Sequence, residues 1–171
     1  PGLFAPSVFE PLTDDFDGSV VVQADQEIVA VSHTFWTRLS TASTYKGMAG
    51  GAQEVFMAWQ PRKKVGGAWL QWAKLVIQNL SGTDANITLT YYNPDGSVQA
   101  TFTDTIAGNS ADGYNTRYGS DGGGVTAAQF AALGDSFNGA VRVQSTQPVA
   151  PVMNVIQSDW ATTYNGYAPS P

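Results

Sequence analysis

Catalysis needs a proton carrier, a nucleophile or a set of metal ligands, and this chain offers few of each. His33 is its only histidine, and it has no cysteine. A hydrolytic triad would place the imidazole between a serine and a carboxylate. No serine stands in a nucleophile elbow, because Gly108-Asn109-Ser110-Ala111-Asp112 lacks the closing glycine. Without thiols there is no disulfide, thiolate metal site or cysteine nucleophile. Asp14-Asp15-Phe16-Asp17-Gly18 reads as half of a calcium loop, whose ion wants several oxygen ligands. The 11 Asp and 3 Glu would allow the carboxylate pair of a glycosidase, yet no spacing picks out a pair. Gly122-Gly123-Gly124 follows Asp121 without a preceding strand or a P-loop lysine. It reads as a flexible lead-in to a helix, not as a phosphate cradle.

An internal repeat weighs these candidates. Residues 9–31 realign on residues 130–152 at a constant offset of 121, with ten of the 23 paired positions identical. Phe9/Phe130, Asp14/Asp135, Gly18/Gly139, Val20/Val141 and Val22/Val143 are among them. After a two-residue slip, Thr44-Tyr45-Lys46-Gly47 lines up with Thr163-Tyr164-Asn165-Gly166. In the second copy Asn154 stands where the first has His33, within the same apolar stripe. Asparagine holds a hydrogen bond but carries no proton, so His33 is expected to be structural. The second loop, Asp135-Ser136-Phe137-Asn138-Gly139, has lost two of three carboxylates, which favours a turn over a metal site. The expectation is no catalytic residue, no metal, no cofactor and no enzyme.

Bulk properties point the same way. A chain of 171 residues suits one domain and buries enough surface to fold without staples. Net charge is −6 with eight Lys and Arg in all, too few to neutralise many phosphates, so nucleic acid is not an expected partner. The one basic cluster, Arg62-Lys63-Lys64 beside Gly66-Gly67, reads as a solvated hairpin loop. Charged residues make up 13% of the chain, against about 25% in a typical domain. Such a surface suits a secreted or cell-surface β protein, or a subunit whose faces are covered by neighbours. No apolar run is long enough to span a membrane.

The elements that would carry these residues are strands. Residues 86–93 alternate Ile87, Leu89, Tyr91 with Thr88, Thr90, Tyr92, then meet the turn Asn93-Pro94-Asp95-Gly96, then alternate again through Thr103. Further strands are expected at 18–23, 27–36, 54–60, 68–79, 139–144 and 148–156. The capping box Thr126-Ala127-Ala128-Gln129, with Gly134 to stop it, predicts one short helix near 126–133. Ser7-Val8-Phe9-Glu10 repeats the box, but Pro11 limits it to about one turn. The predicted fold is all-β, an antiparallel sandwich of immunoglobulin-like or jelly-roll-like form. Residues 1–171 form one domain in this reading. Residues 50–171 are a complete unit and 1–49 the closing half of a repeat.

The chain has five tryptophans: Trp36, Trp59, Trp69, Trp72 and Trp160. Strand 68–79 is part apolar on both faces, so both are expected to be covered, one by the core and the other by a subunit contact or a sugar. Trp72 and Val76 lie on the second face. Tyr92, Tyr114, Tyr118 and Tyr167 are the candidates for an exposed sugar platform. Asn79-Leu80-Ser81 and Asn86-Ile87-Thr88 are glycosylation sequons.

The motifs Val76-Ile77-Gln78-Asn79-Leu80, the run from Ile87 to Ser97, Phe137-Asn138-Gly139-Ala140-Val141 and Thr163-Tyr164-Asn165-Gly166 resemble a tandem β-sandwich repeat module of secreted and surface proteins of Chloroflexota-type bacteria. The resemblance covers residues 50–167 and again 9–47. It implies an extracellular or cell-surface structural or adhesive role and brings no catalytic residue with it. The resulting expectation is a noncatalytic structural protein that self-assembles into a filament or surface layer. Its partners would be copies of itself. The N-terminal segment, with Leu3, Phe4, Val8 and Phe9, would pass to the next subunit. The alternative is a monomeric carbohydrate-binding or adhesive module with glycans as partners.

Overall fold

The alternation at 86–103 becomes a hairpin of β5 (Ala85–Tyr92) and β6 (Val98–Ile106). Its turn is closed by Asn93 N–H to the Ser97 carbonyl and by Ser97 N–H to Asp95 Oδ1, both 2.9 Å, with Gly96 at φ +84°. The computed structural model to which this hairpin belongs describes residues 11–12 and 18–169. Leu3, Phe4, Val8, Phe9 and the Asp14–Asp17 run lie outside the described residues.

Eight further strands are described: β1 (Val31–Trp36), β2 (Thr41–Lys46), β3 (Ala52–Val65), β4 (Ala68–Asn79), β7 (Ala111–Asn115), β8 (Gly119–Ser120), β9 (Ser136–Gln157) and β10 (Ala161–Asn165). The capping box forms as read. Thr126 Oγ1 accepts from Gln129 N–H while Gln129 Oε1 accepts from Thr126 N–H, and α1 (Ala127–Phe130) runs into a 3-10 turn that ends at Gly134. No helix among the described residues is long and apolar enough to cross a membrane.

The fold is an antiparallel β-sandwich whose two layers share one strand. The N-terminal part of β9 lies between β3 and β5, with Val143 opposite both Val55 and Leu89. Past Pro148 the same strand lies between β4 and β10, with Val155 opposite both Ala73 and Thr162. The hydrogen-bonded order is β6-β5-β9-β3-β4-β7-β8, with β10 on β9. Inward faces of the two layers meet in a core that includes Val55, Met57, Leu75, Ile77, Leu89, Val143, Met153 and Val155. Tyr91, Phe102, Phe130 and Phe137 close one end as edge-to-face rings, 5.1–6.1 Å between centroids.

Several expected elements differ. Strands 139–144 and 148–156 are a single strand, whose pairing with β3 continues through a register shift between Gln144 and Val149. Residues 18–23 form no strand, although Val20, Val21 and Val22 are branched residues that favour one. The strand at 27–36 starts only at Val31. Arg62-Lys63-Lys64 is not a solvated loop. Arg62 is buried within β3, and the hairpin loop is Gly66-Gly67 alone, both at positive φ. A two-residue hairpin turn of this hand requires that conformation, which glycine adopts without steric cost.

Candidate self-association surface

The repeat is a structural repeat at its hairpin and breaks down ahead of it. β1 pairs with β2 as Val31–Lys46, His33–Thr44 and Phe35–Ala42. The corresponding pairs of β9 with β10 are Val152–Asn165, Asn154–Thr163 and Ile156–Ala161. The polar position is used alike in both hairpins. His33 Nδ1 lies 2.8 Å from Thr44 Oγ1, and Thr163 Oγ1 donates to Asn154 Oδ1 at 2.8 Å. The hairpins lie against each other through β2 and β10. Ser43 Oγ accepts from Thr163 N–H at 2.8 Å, and Asn165 Nδ2 donates to the Lys46 carbonyl.

Upstream of the hairpin the copies part. Val141, Val143 and Val149 are fully buried in β9, whereas their counterparts Val20, Val22 and Ile28 are 78%, 59% and 49% exposed. Val21, Val29, Val31 and Phe35 are exposed as well. Among the described residues, no backbone–backbone hydrogen bond involves residues 18–29. The Ser19 hydroxyl donates to Gln78 Oε1. A pattern that makes a strand in β9 makes none here, because a strand needs a neighbour to satisfy its N–H and C=O groups. The result is a run of exposed apolar side chains among the described residues.

Trp72 and Val76 are half-buried on the outer face of β4, while Ala73, Leu75 and Ile77 of the same strand are buried in the core. Arg117, in the turn from β7 to β8, lies over Trp72 with its guanidinium carbon 4.9 Å from the ring centroid, and over Tyr118 at 4.6 Å. Nothing local in the sequence connects residue 117 with residue 72. Only the pairing of β4 with β7 brings them together.

The four tyrosines do not form one platform. Tyr114 is fully buried, which removes it as an exposed aromatic, and burial together with the nearby Asp104 carboxylate holds its hydroxyl well above the usual range. Tyr118 and Tyr167 are exposed on separate elements, the β7–β8 turn and a bridge to Phe56 on β3. Tyr92 lines a shallow groove with Trp59, Asn93 and Asn138. Trp59 stacks on Trp160 at 6.2 Å and donates from Nε1 to Asn138 Oδ1 at 2.7 Å.

Asp112, Asp121 and Asp135 have structural partners. Asp112 Oδ1 accepts from the N–H groups of Gly113 and Gly122 at 2.7 and 2.9 Å. Burial nevertheless raises its carboxyl above the ordinary range, those two bonds oppose the shift, and Asp104 and Asp121 add repulsion. Asp121 pairs with Lys74 at 2.9 Å. Asp135, the carboxylate kept in the second copy of the loop, pairs with Arg62 at 2.9 Å. Among the described residues, no group of three His, Cys, Asp or Glu is placed to hold a metal ion.

No protein-family model matches the chain, and no curated protein matches it. Two solved structures are similar in outline. The crystal structure of Thermotoga maritima 1070 is 18% identical, with a TM-score of 0.48 over 70% of this chain and 96% of that one. The Anabaena sensory rhodopsin transducer is 15% identical, with a TM-score of 0.46 over 63% of this chain and 91% of that one.

Proposed function

We propose that this is a noncatalytic extracellular structural protein whose β-sandwich subunits self-assemble into a filament or surface layer through the N-terminal repeat copy. One observation carries the reading: Val20, Val22 and Ile28 are exposed where their repeat counterparts fill the core. With no backbone–backbone hydrogen bond to it among the described residues, the segment is suited to adding to a neighbour's sheet, where main-chain bonds supply affinity and alternate side chains supply fit. Donor and acceptor surfaces differ, so the contact is head-to-tail and need not close, which produces open fibres. The low content of charged residues agrees with faces that become covered. Electron microscopy with sedimentation across a concentration series tests it. The purified chain is expected to polymerise, and a strictly monomeric chain at every concentration removes the proposal. Deleting residues 1–12 measures the share of Leu3, Phe4, Val8 and Phe9, and is expected to yield monomers.

The groove at Trp59 favours a second reading, a monomeric carbohydrate-binding or adhesive module. Its indole face and the Asn93 and Asn138 amides are the groups a sugar uses. Specific binding on a glycan array by a monomer, lost in Trp59→Ala, would favour it.

A further inference from the structure

Charge is partitioned sharply along the chain. Residues 1–30 hold six carboxylates and no Lys or Arg, so the whole net charge of −6 belongs to them, and residues 31–171 balance eight against eight. Asp25 and Glu27 lie among the exposed Val20, Val21, Val22, Ile28 and Val29 and are themselves exposed.

Half of the eight cations, Arg62, Lys63, Lys64 and Arg117, lie on the β3–β4 hairpin and the β7–β8 turn. Trp69 joins the two. Arg62, Lys64 and Arg117 lie 4.9, 5.7 and 5.9 Å from its ring centroid. Arg62 is answered by Asp135, but among the described residues neither Arg117 nor Lys63 nor Lys64 has a carboxylate within salt-bridge reach. A guanidinium stacked on aromatic rings keeps its in-plane N–H donors for a carboxylate, which it binds as a fork. Trp72, Tyr118 and the exposed Leu70 add apolar surface at the same place.

The sheet path ends at β6 and at β8. β6 carries Asp104 and no cation, and β10, off the path, carries no cation, so neither offers an acidic segment a counter-charge. The β8 end carries Arg117. Resting on the self-association proposed above, we infer that the surface of Trp69, Trp72, Arg117 and Tyr118 is the receptor for residues 18–30 of a second copy. Asp25 and Glu27 answer Arg117 and Lys64 there, and the valines pack on the indoles. Opposite charge steers the encounter and sets polarity, since like ends repel.

A charge swap in the full-length chain, read by sedimentation velocity at low and high salt, tests this. Arg117→Glu is expected to weaken association roughly tenfold or more, with Arg117→Lys in between because an ammonium has no fork. Asp25→Lys with Glu27→Lys is expected to weaken it alike. Mixing that variant with Arg117→Glu restores association, because each then finds an opposite partner. Circular dichroism confirms folding, and Lys64→Glu provides an independent reversal at the same surface. Arg117→Glu and Lys64→Glu chains that assemble like the parent, or a mixture that stays dispersed, overturn the receptor assignment while leaving self-association intact. A parent chain that never associates overturns both. Unchanged assembly by Arg117→Glu with loss of alginate binding reassigns the surface to an acidic glycan.

Discussion

His33 stands opposite Thr44 across the β1–β2 ladder, its Nδ1 2.8 Å from the hydroxyl, in the register that sets Asn154 against Thr163 in the second hairpin. The lone histidine thus has a cross-strand partner that an asparagine can also satisfy. His33→Asn is expected to stay within about 0.5 kcal/mol of the parent, the range of ordinary surface changes. It should leave the assembly state unchanged. Urea unfolding and sedimentation check both, and a loss of several kcal/mol would show that the imidazole does something the amide cannot.

The same substitution at repeat-related positions should have opposite consequences. Val143→Asp puts an unpaired carboxylate in a fully buried site and is expected to cost more than about 4 kcal/mol. Val22→Asp falls on an exposed position and is expected to leave folding within about 0.5 kcal/mol while reducing association. Thermal melts and light scattering separate the two. A Val22→Asp chain that polymerises as well as the parent would place the contact elsewhere.

Arg62 is a buried cation with three acceptors. Its Nε donates to the Thr116 carbonyl at 3.2 Å, and Nη1 serves both Asp135 and the Gly134 carbonyl. Arg62→Ala is expected to lower stability by about 2 kcal/mol, because the buried Thr116 carbonyl loses its donor and the more exposed Gly134 carbonyl and Asp135 carboxylate lose theirs with it. Arg62→Lys should recover only part of this, since one ammonium cannot reproduce the planar fork. Denaturant midpoints of the three chains give the ranking.

Asp112 gives stability a definite pH slope. Its carboxyl is raised on folding, chiefly by burial. The native state therefore holds the proton more tightly than the unfolded chain, whose value is about 3.9. Between that value and the raised one the native state carries more protons, so Asp112's contribution falls as pH rises through the window and is level above it. Asp112→Asn keeps an acceptor for Gly113 and Gly122 without the charge. Its melting temperature is expected to exceed the parent's at neutral pH, with the difference closing as pH drops below the window. A difference that widens on acidification contradicts the assignment.

Legibility in the sequence followed how local the determinants were. The β5–β6 hairpin and the capping box at Thr126 are written in adjacent residues, and both form as read. β7 was missed because Ala111-Asp112-Gly113-Tyr114-Asn115 has no branched alternation and owes its place to β4. Residues 18–23 carry the branched residues of a strand without forming one, since residue type states a preference and pairing requires a partner. The placement of Trp72 and Val76 on the strand face opposite Ala73, Leu75 and Ile77 was legible from period-2 alternation. Arg117 was not, because its neighbours come from β4, some 45 residues earlier in the chain.

The 22 residues of β9 touch both layers, and that has a kinetic consequence. β3, β4 and β5 are made first, yet the strand that joins them follows only after β6, β7 and β8. Neither layer has its centre until β9 docks, so the contacts that define the sandwich are long-range and folding is expected to be slow for its size, in the millisecond-to-second range. A nascent chain must hold an unfinished sheet until β9 emerges. Throughout that interval the one finished segment with the missing strand's side-chain order is 18–31, so the repeat gives the waiting sheet a competitor for its own centre.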